Sequence, residues 1–327
     1  HLSVTGYVEW VLGRARQGSL AFVTTSIDPV TGAMLAANPW NKDFGTRVAF
    51  ADMRGMQTDW TADRSEFLGR NGRMSSPAAL RSGRPLTRTV GAGLDPCGVL
   101  RSRFELAPNS SVDVVFLLGQ AEHAEEARAL ITRYRQANLD QVQADVAAHW
   151  QRVLGSVHVS TPDRAMDIML NGWLMYQTIA CRLWARSGFY QSSGAYGFRD
   201  QLQDGMALAA VQPEMTRAHL LRAAARQFPE GDVQHWWLPH SGQGVRTRIS
   251  DDCAWLASSV AQYIGSSGDL GVLDEQVPFV EGQQLEPEAH DNFFLPGISD
   301  ETATLYEHCC RALDHSLATG RHGLPLI

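Results

Sequence analysis

The sequence is poor in lysine, in paired cysteines and in long apolar runs. Very few of its 28 basic residues are lysines, and its net charge is −7 with no basic block. Such a chain lacks the cationic patch that nucleic acid requires. No apolar run approaches the roughly 20 residues that cross a bilayer. The opening "HLSVTGYVEW" has no signal-peptide pattern. Five cysteines, with Cys309 and Cys310 adjacent, do not suit a disulfide framework. CxxC and HExxH are absent, so neither structural nor catalytic zinc is expected. A reduced, cytoplasmic chain is the expectation.

What is present is ordinary globular composition, with 44% hydrophobic and 19% charged residues over 327 positions, enough for two domains. Residues 1–120 read as antiparallel strands of a β-sandwich. "LAFVTTSIDPVTGAMLAANP" alternates and breaks at Asp-Pro and Thr-Gly, and "TRVAFADM" and "SSVDVVFLLGQ" are further short apolar runs. Residues 121–160 carry apolar positions three and four apart with no proline, which predicts a helical linker. Residues 161–327 read as helices joined by long loops. "DRAMDIMLNGWLMYQTIACRLWAR" predicts a long, largely buried helix. "QDGMALAAV" and "PEMTRAHLLRAAARQF" predict a helical pair, and "DDCAWLASSVAQYIGSSGD" another helix. "DETATLYEHCCRALDHSLATG" predicts the last, starting near Ser299 and capped by Gly320.

Three of the loops carry chemistry. "ARSGFYQSSGAYGFRDQLQD" combines Arg186, Arg199, Asp200, Gln203 and Asp204 with Tyr190, Tyr196 and two phenylalanines. Aromatic faces beside polar forks suit a sugar ring and its hydroxyls. The same residues also suit a surface loop with an Arg199–Asp204 ion pair. "GDVQHWWLPHSGQGVRTRISDD" sets Trp236 and Trp237 beside His235, His240 and a Ser-Asp-Asp, which reads as an oligosaccharide rim. "QLEPEAHDNFFLP" and "ISDETATLYEH" supply Glu286, Glu288, His290, Asp291, Glu301, Tyr306 and Glu307, which sequence alone does not rank.

Ser250, Asp251 and Asp252 open a helix. A serine can cap it, and acids in a first turn suit its dipole. One aspartate can instead be the proton donor of inverting glycosidic cleavage. A hydrolase adds a base and water, whereas a phosphorylase uses phosphate itself, held by cations and hydroxyls. The neighbouring arginines fit the second plan better. A helix start favours the charged carboxylate, so a general acid there needs desolvation or a nearby anion to keep its proton.

"RSGFYQSSGAYGFRDQLQD", "HWWLPHSGQGVRTRISDDCAWLA" and "LYEHCCRALDHSLATGRHGLPLI" resemble glycoside hydrolase family 94, in particular its cyclic β-1,2-glucan synthase branch and the 1,2-β-oligoglucan phosphorylases. "NPWNKDFGTRVAFADM" is similar to the sandwich of that branch, so the likeness runs over nearly the whole chain. The resemblance implies a β-sandwich, a helical linker and part of an (α/α)6 barrel. It implies inverting phosphorolysis of a β-glucoside to α-glucose 1-phosphate, with inorganic phosphate as co-substrate and no cofactor. By position Asp251 matches the general acid, Arg199 and Asp204 match residues that hold the glucosyl unit, and Arg186 matches a phosphate ligand. Asp252 is expected to orient the loop or cap the helix. The bottom-up reading adds Tyr190, His235, Trp236 and Trp237 as sugar contacts. Ile249 stands where cellobiose-type members carry tryptophan, which favours the β-1,2-glucan branch. Relatives continue past "HGLPLI" into a Trp-Asn-Asp-Gly stretch and further phosphate ligands, so the chain is expected to be part of an enzyme, the cytoplasmic part of a larger membrane protein or a homodimer among the possibilities. The rival expectations are an inverting hydrolase with a base from residues 286–301, and an inactive glucan-binding fragment.

Overall fold

A computed structural model of the chain describes residues 1–184 and 194–324. They form two compact units, His1–Ala144 and Asp145–Ile327. The first contains strands β1 (Leu2–Glu9), β2 (Thr24–Ile27), β3 (Met34–Ala37), β4 (Val48–Asp52), β5 (Asp59–Asp63), β6 (Pro96–Phe104) and β7 (Leu117–Ala121). They make two antiparallel sheets, ordered β1–β6–β5 and β2–β3–β4–β7. Met34, Ala36 and Ala51 of one sheet share a core with Ala62 and Leu100 of the other, around buried Trp10. The alternation along each strand thus puts one face of each sheet into a common interior.

The expected linker begins as part of this unit. The helix Ala124–Gln136 buries Ala127 and Ile131 against Ala33 and Phe50. The i, i+4 spacing places both on one stripe. Two of its arginines reach buried aspartates. Arg128 grips Asp28 in the β2–β3 turn at 2.7 Å, and Arg135 grips Asp52 on β4 at 2.6 and 2.9 Å. A second helix, Leu139–Leu154, follows.

In the second unit the expected long helix is interrupted. Asn171 (ψ +41°) and Gly172 (φ +133°) leave helical geometry, and the Asn171 side chain pairs both ways with the Val159 backbone at 2.7 and 2.8 Å. Only glycine takes that φ without strain. Nor is the segment largely buried. Ile179 and Leu183 pack inward, while Met166, Ile168, Trp173, Leu174 and Trp184 stay exposed. Its apolar residues run all round the axis, and the described elements cover one side of it.

The helices Phe198–Met206, Pro213–Ala224, Asp251–Ser267 and Leu305–Ser316 surround the main core. Leu256, Val260 and Tyr263, one stripe of the third, meet Phe198, Leu202, Leu220, Ala223, Cys309 and Ala312. These helices fall short of the twelve in an (α/α)6 barrel. Between them lie strands that the helical reading passes over. β8 (Tyr196–Gly197), β9 (Gln234–Trp237), β10 (Gly244–Thr247) and β12 (Asp291–Phe294) form a sheet ordered β12–β10–β9–β8, and β11 (Gln276–Glu281) pairs with β13 (Gly297–Thr304). Ser299 therefore lies in a strand. The last helix starts at Thr304, whose hydroxyl accepts from the Glu307 N–H at 3.2 Å, and it ends at Leu317 rather than at Gly320.

Candidate active site

Asp251 and Asp252 are the first two residues of the helix Asp251–Ser267. Successive helical residues point about 100° apart, so one acid faces out and the other in. The Asp251 side chain is 42% exposed, that of Asp252 2%. Ser250 precedes them in helical geometry and makes no capping bond to the helix N–H groups. Its carbonyl instead accepts from the Ser316 hydroxyl at 3.2 Å, which ties the helix start to the last helix.

Each aspartate has its own partner. Asp251 Oδ2 accepts from Arg199 Nη1 at 2.8 Å. Arg199 sits in the first turn of Phe198–Met206, whose Phe198 and Leu202 pack in the same core as Leu256 and Val260 of the Asp251 helix. Asp252 Oδ2 lies 2.6 Å from Nδ1 of His235 on β9. Burial pushes the Asp252 carboxyl up, and His235 pulls against that without cancelling it. The Asp252 contact in turn raises His235, outweighing the imidazole's own burial.

The alternative Arg199–Asp204 pair does not form. Five positions apart on one helix, the two side chains leave on different sides, since neighbours on a helix surface lie three or four apart. Asp204 accepts from Arg182 Nε at 2.9 Å instead. Buried Gln201 lies between these groups, donating to the Arg182 carbonyl at 3.0 Å and contacting His219.

The two tryptophans of the expected rim have different surroundings. Trp237 is 1% exposed, with its ring edge-on to Tyr196 and Phe198 at 5.7 and 6.3 Å, so it supports the site from the core and offers no face to a sugar. Trp236, half-buried, leans on Phe293 of β12 at 5.4 Å. Arg186 and Tyr190 lie outside the described residues. The structure thus brings Asp251, Arg199 and His235 together around the helix start, with Asp204 on another side of Arg199's helix.

Two arginines that looked available for an anion are already engaged. Arg246 on β10 is 2% exposed, forks onto Asp232 at 2.6 and 2.7 Å, reaches Glu230 at 3.0 Å and stacks over Phe228 at 3.8 Å. Arg248 donates to the carbonyls of Ala289 and Glu286 at 2.9 and 2.8 Å. Both fasten loops, and among the described arginines near the Ser-Asp-Asp only Arg199 contacts Asp251. In the third cluster Glu301 and Glu307 both accept from Arg311 at 2.8 Å. The His235–Asp252 contact escapes a sequence reading because "QHWW" looks like loop. The usable signal is two short runs, "QHWW" and "GVRT", either side of the turn residues "LPHSGQ".

Residues 1–137 match the supersandwich domain of glycosyl hydrolase 94, and residues 149–327 match the catalytic domain of the glycosyl hydrolase 94 superfamily. The chain belongs to the glycosyl hydrolase 94 family. Among its family-94 relatives, the cyclic beta-(1,2)-glucan synthase NdvB of Rhizobium meliloti (strain 1021) is 45% identical over all 327 residues, which make up 12% of that protein. The N,N'-diacetylchitobiose phosphorylase of Vibrio proteolyticus is 26% identical over 79% of the chain and 33% of its own length. The cellobionic acid phosphorylase of Neurospora crassa is 27% identical over 82% of the chain and 32% of its own length. The chain therefore spans about an eighth of the synthase and a third of these phosphorylases. Among the described residues no helix is long and apolar enough to cross a membrane.

Proposed function

We propose that the chain is part of a phosphorylase-type unit that cleaves β-1,2-linked glucosides with inversion, releasing α-glucose 1-phosphate. In this reading Asp251 protonates the glycosidic oxygen, and the bond to the anomeric carbon breaks with its electron pair going to that oxygen. Inorganic phosphate attacks the same carbon from the opposite face. Arg199 and Asp204 hold the glucosyl hydroxyls, and Arg186 binds phosphate. The helices of the second unit are then part of an (α/α)6 barrel. The observation that carries the proposal is the exposed Asp251 held against Arg199 at 2.8 Å, at the start of a helix whose other acid is buried. A carboxyl that donates to a glycosidic oxygen cannot accept from Arg199 through the same atom. Arg199 engages Oδ2, so the transferred proton is carried on Oδ1, or the pair opens as the sugar binds, and an ion pair this exposed is weak enough to open.

The test is incubation with β-1,2-glucooligosaccharides, with and without inorganic phosphate, followed by assay of glucose 1-phosphate. Phosphate-dependent product that disappears in Asp251→Asn is the expected result. Reducing sugar released without phosphate would replace this reading with a hydrolase. Binding without turnover, lost in Trp236→Ala and retained in Asp251→Asn, would replace it with a glucan-binding fragment.

A further inference from the structure

The two nitrogens of His235 have different surroundings. Nδ1 is fixed at 2.6 Å on Asp252, a carboxylate almost completely buried at the first turn of the helix. Among the described residues Nε2 has no partner, yet it is not among the buried polar atoms that lack one, so it opens to solvent on a side chain that is 36% exposed. A carboxylate on Nδ1 makes that nitrogen the donor and orients the ring, as a carboxylate behind a histidine does in many sites. Asp251 is the next residue along, and Arg199 is on Asp251. The charged groups that face the imidazole are Asp252 and, at longer range, Asp200 and Arg199 from the neighbouring helix. Arg246, on the adjacent strand β10, is taken up by Asp232 and Glu230.

We propose that Asp252 is a positioning residue acting through His235. It holds the imidazole with Nε2 facing the bound sugar beside Asp251, and His235 hydrogen-bonds a hydroxyl of that sugar. In the charged imidazolium Nε2 carries a proton and donates. The inference rests on the β-glucoside reading of the site and adds a recognition element to it. Because the imidazole is a better donor when charged, binding weakens as pH rises through the elevated His235 titration.

The experiment uses the full chain with a β-1,2-glucooligosaccharide and follows the His235 ring nitrogens by 15N NMR, alongside KM and kcat for variants. The Nε2 signal is expected to move on sugar addition while Nδ1 stays. His235→Ala is expected to raise KM about ten- to a hundredfold, the worth of one lost charged hydrogen bond, with a smaller change in kcat. His235→Gln, which keeps an N–H, recovers part of that and loses the alkaline weakening of binding. Asp252→Asn added to His235→Ala should cost nothing more in KM, because its effect passes through the imidazole. If Asp252→Asn fails to fold, His235→Gln and the NMR signal carry the test alone. A sugar that binds without moving Nε2, or an unchanged KM in His235→Ala, overturns the inference. A moving signal with no phosphorolysis overturns the proposed reaction and leaves the inference standing. Absence of both binding and turnover overturns both.

Discussion

At Asp251 and Asp252 a single step along a helix turns a side chain by about 100°, and the step separates an exposed carboxylate on Arg199 from a buried one on His235. The sequence shows two acids at a helix start, but their division of labour depends on which side the core lies. The same limit applies to Trp236 and Trp237: adjacent residues in a strand face opposite ways, and the core packed on one face of the sheet is what takes Trp237 inside. Arg246 is the strongest residue-scale case. Its fork onto Asp232 is nearly sealed from water, and removing one partner leaves the other charge buried alone. Arg246→Ala is expected to destabilise the second unit by about 3–5 kcal/mol in urea unfolding. Arg246→Lys should recover only part, since an ammonium cannot fork.

Among the elements, the helices were legible where an apolar stripe coincided with a stop signal. Asp251–Ser267 closes on Gly268 at φ +74°, and Pro213–Ala224 opens on its proline. The short strands were not legible, because four residues such as "GVRT" give two turns of alternation and no more. The start of the last helix illustrates the cost. Ser299 and Thr304 are both plausible caps in sequence, and strand pairing from Gln276↔Thr304 to Glu281↔Gly297 decides between them. Thr304→Ala is expected to cost about 1 kcal/mol, while Ser299→Ala should leave the thermal midpoint within error; equal losses would mean the helix begins earlier.

For the whole molecule, the change from strand to helix grammar near residue 121 was visible, as was the division into a sheet-rich and a helix-rich half. What the grammar did not show is that the first helix after the change belongs to the sandwich unit. That depends on Arg128 and Arg135 meeting Asp28 and Asp52, contacts across about a hundred residues. The Arg128 guanidinium and the Thr31 donors hold Asp28 well below the usual carboxylate range. A carboxylate lowered on folding adds stability above its unfolded titration, near pH 4, and loses it as pH falls through the lower folded value. The first unit is therefore expected to lose thermal stability steadily below about pH 4, and Asp28→Asn should be less stable at neutral pH with a flatter acid slope. An unchanged slope would place the acid sensitivity in another group.

The hairpin of β9 and β10 bears on which length changes the chain can absorb. Insertions in the turn "LPHSGQ" lengthen a loop tip and leave the paired residues alone. One residue inserted between Thr247 and Asp251 can rotate the helix start by about 100°, a little more than a quarter turn. Asp251 would then tend to take the direction Asp252 has now, toward His235, while Asp252 turns a further step away and Arg199 loses its carboxylate. The hairpin therefore tolerates a change of length at its tip, while the three residues joining β10 to the helix act as a fixed spacer.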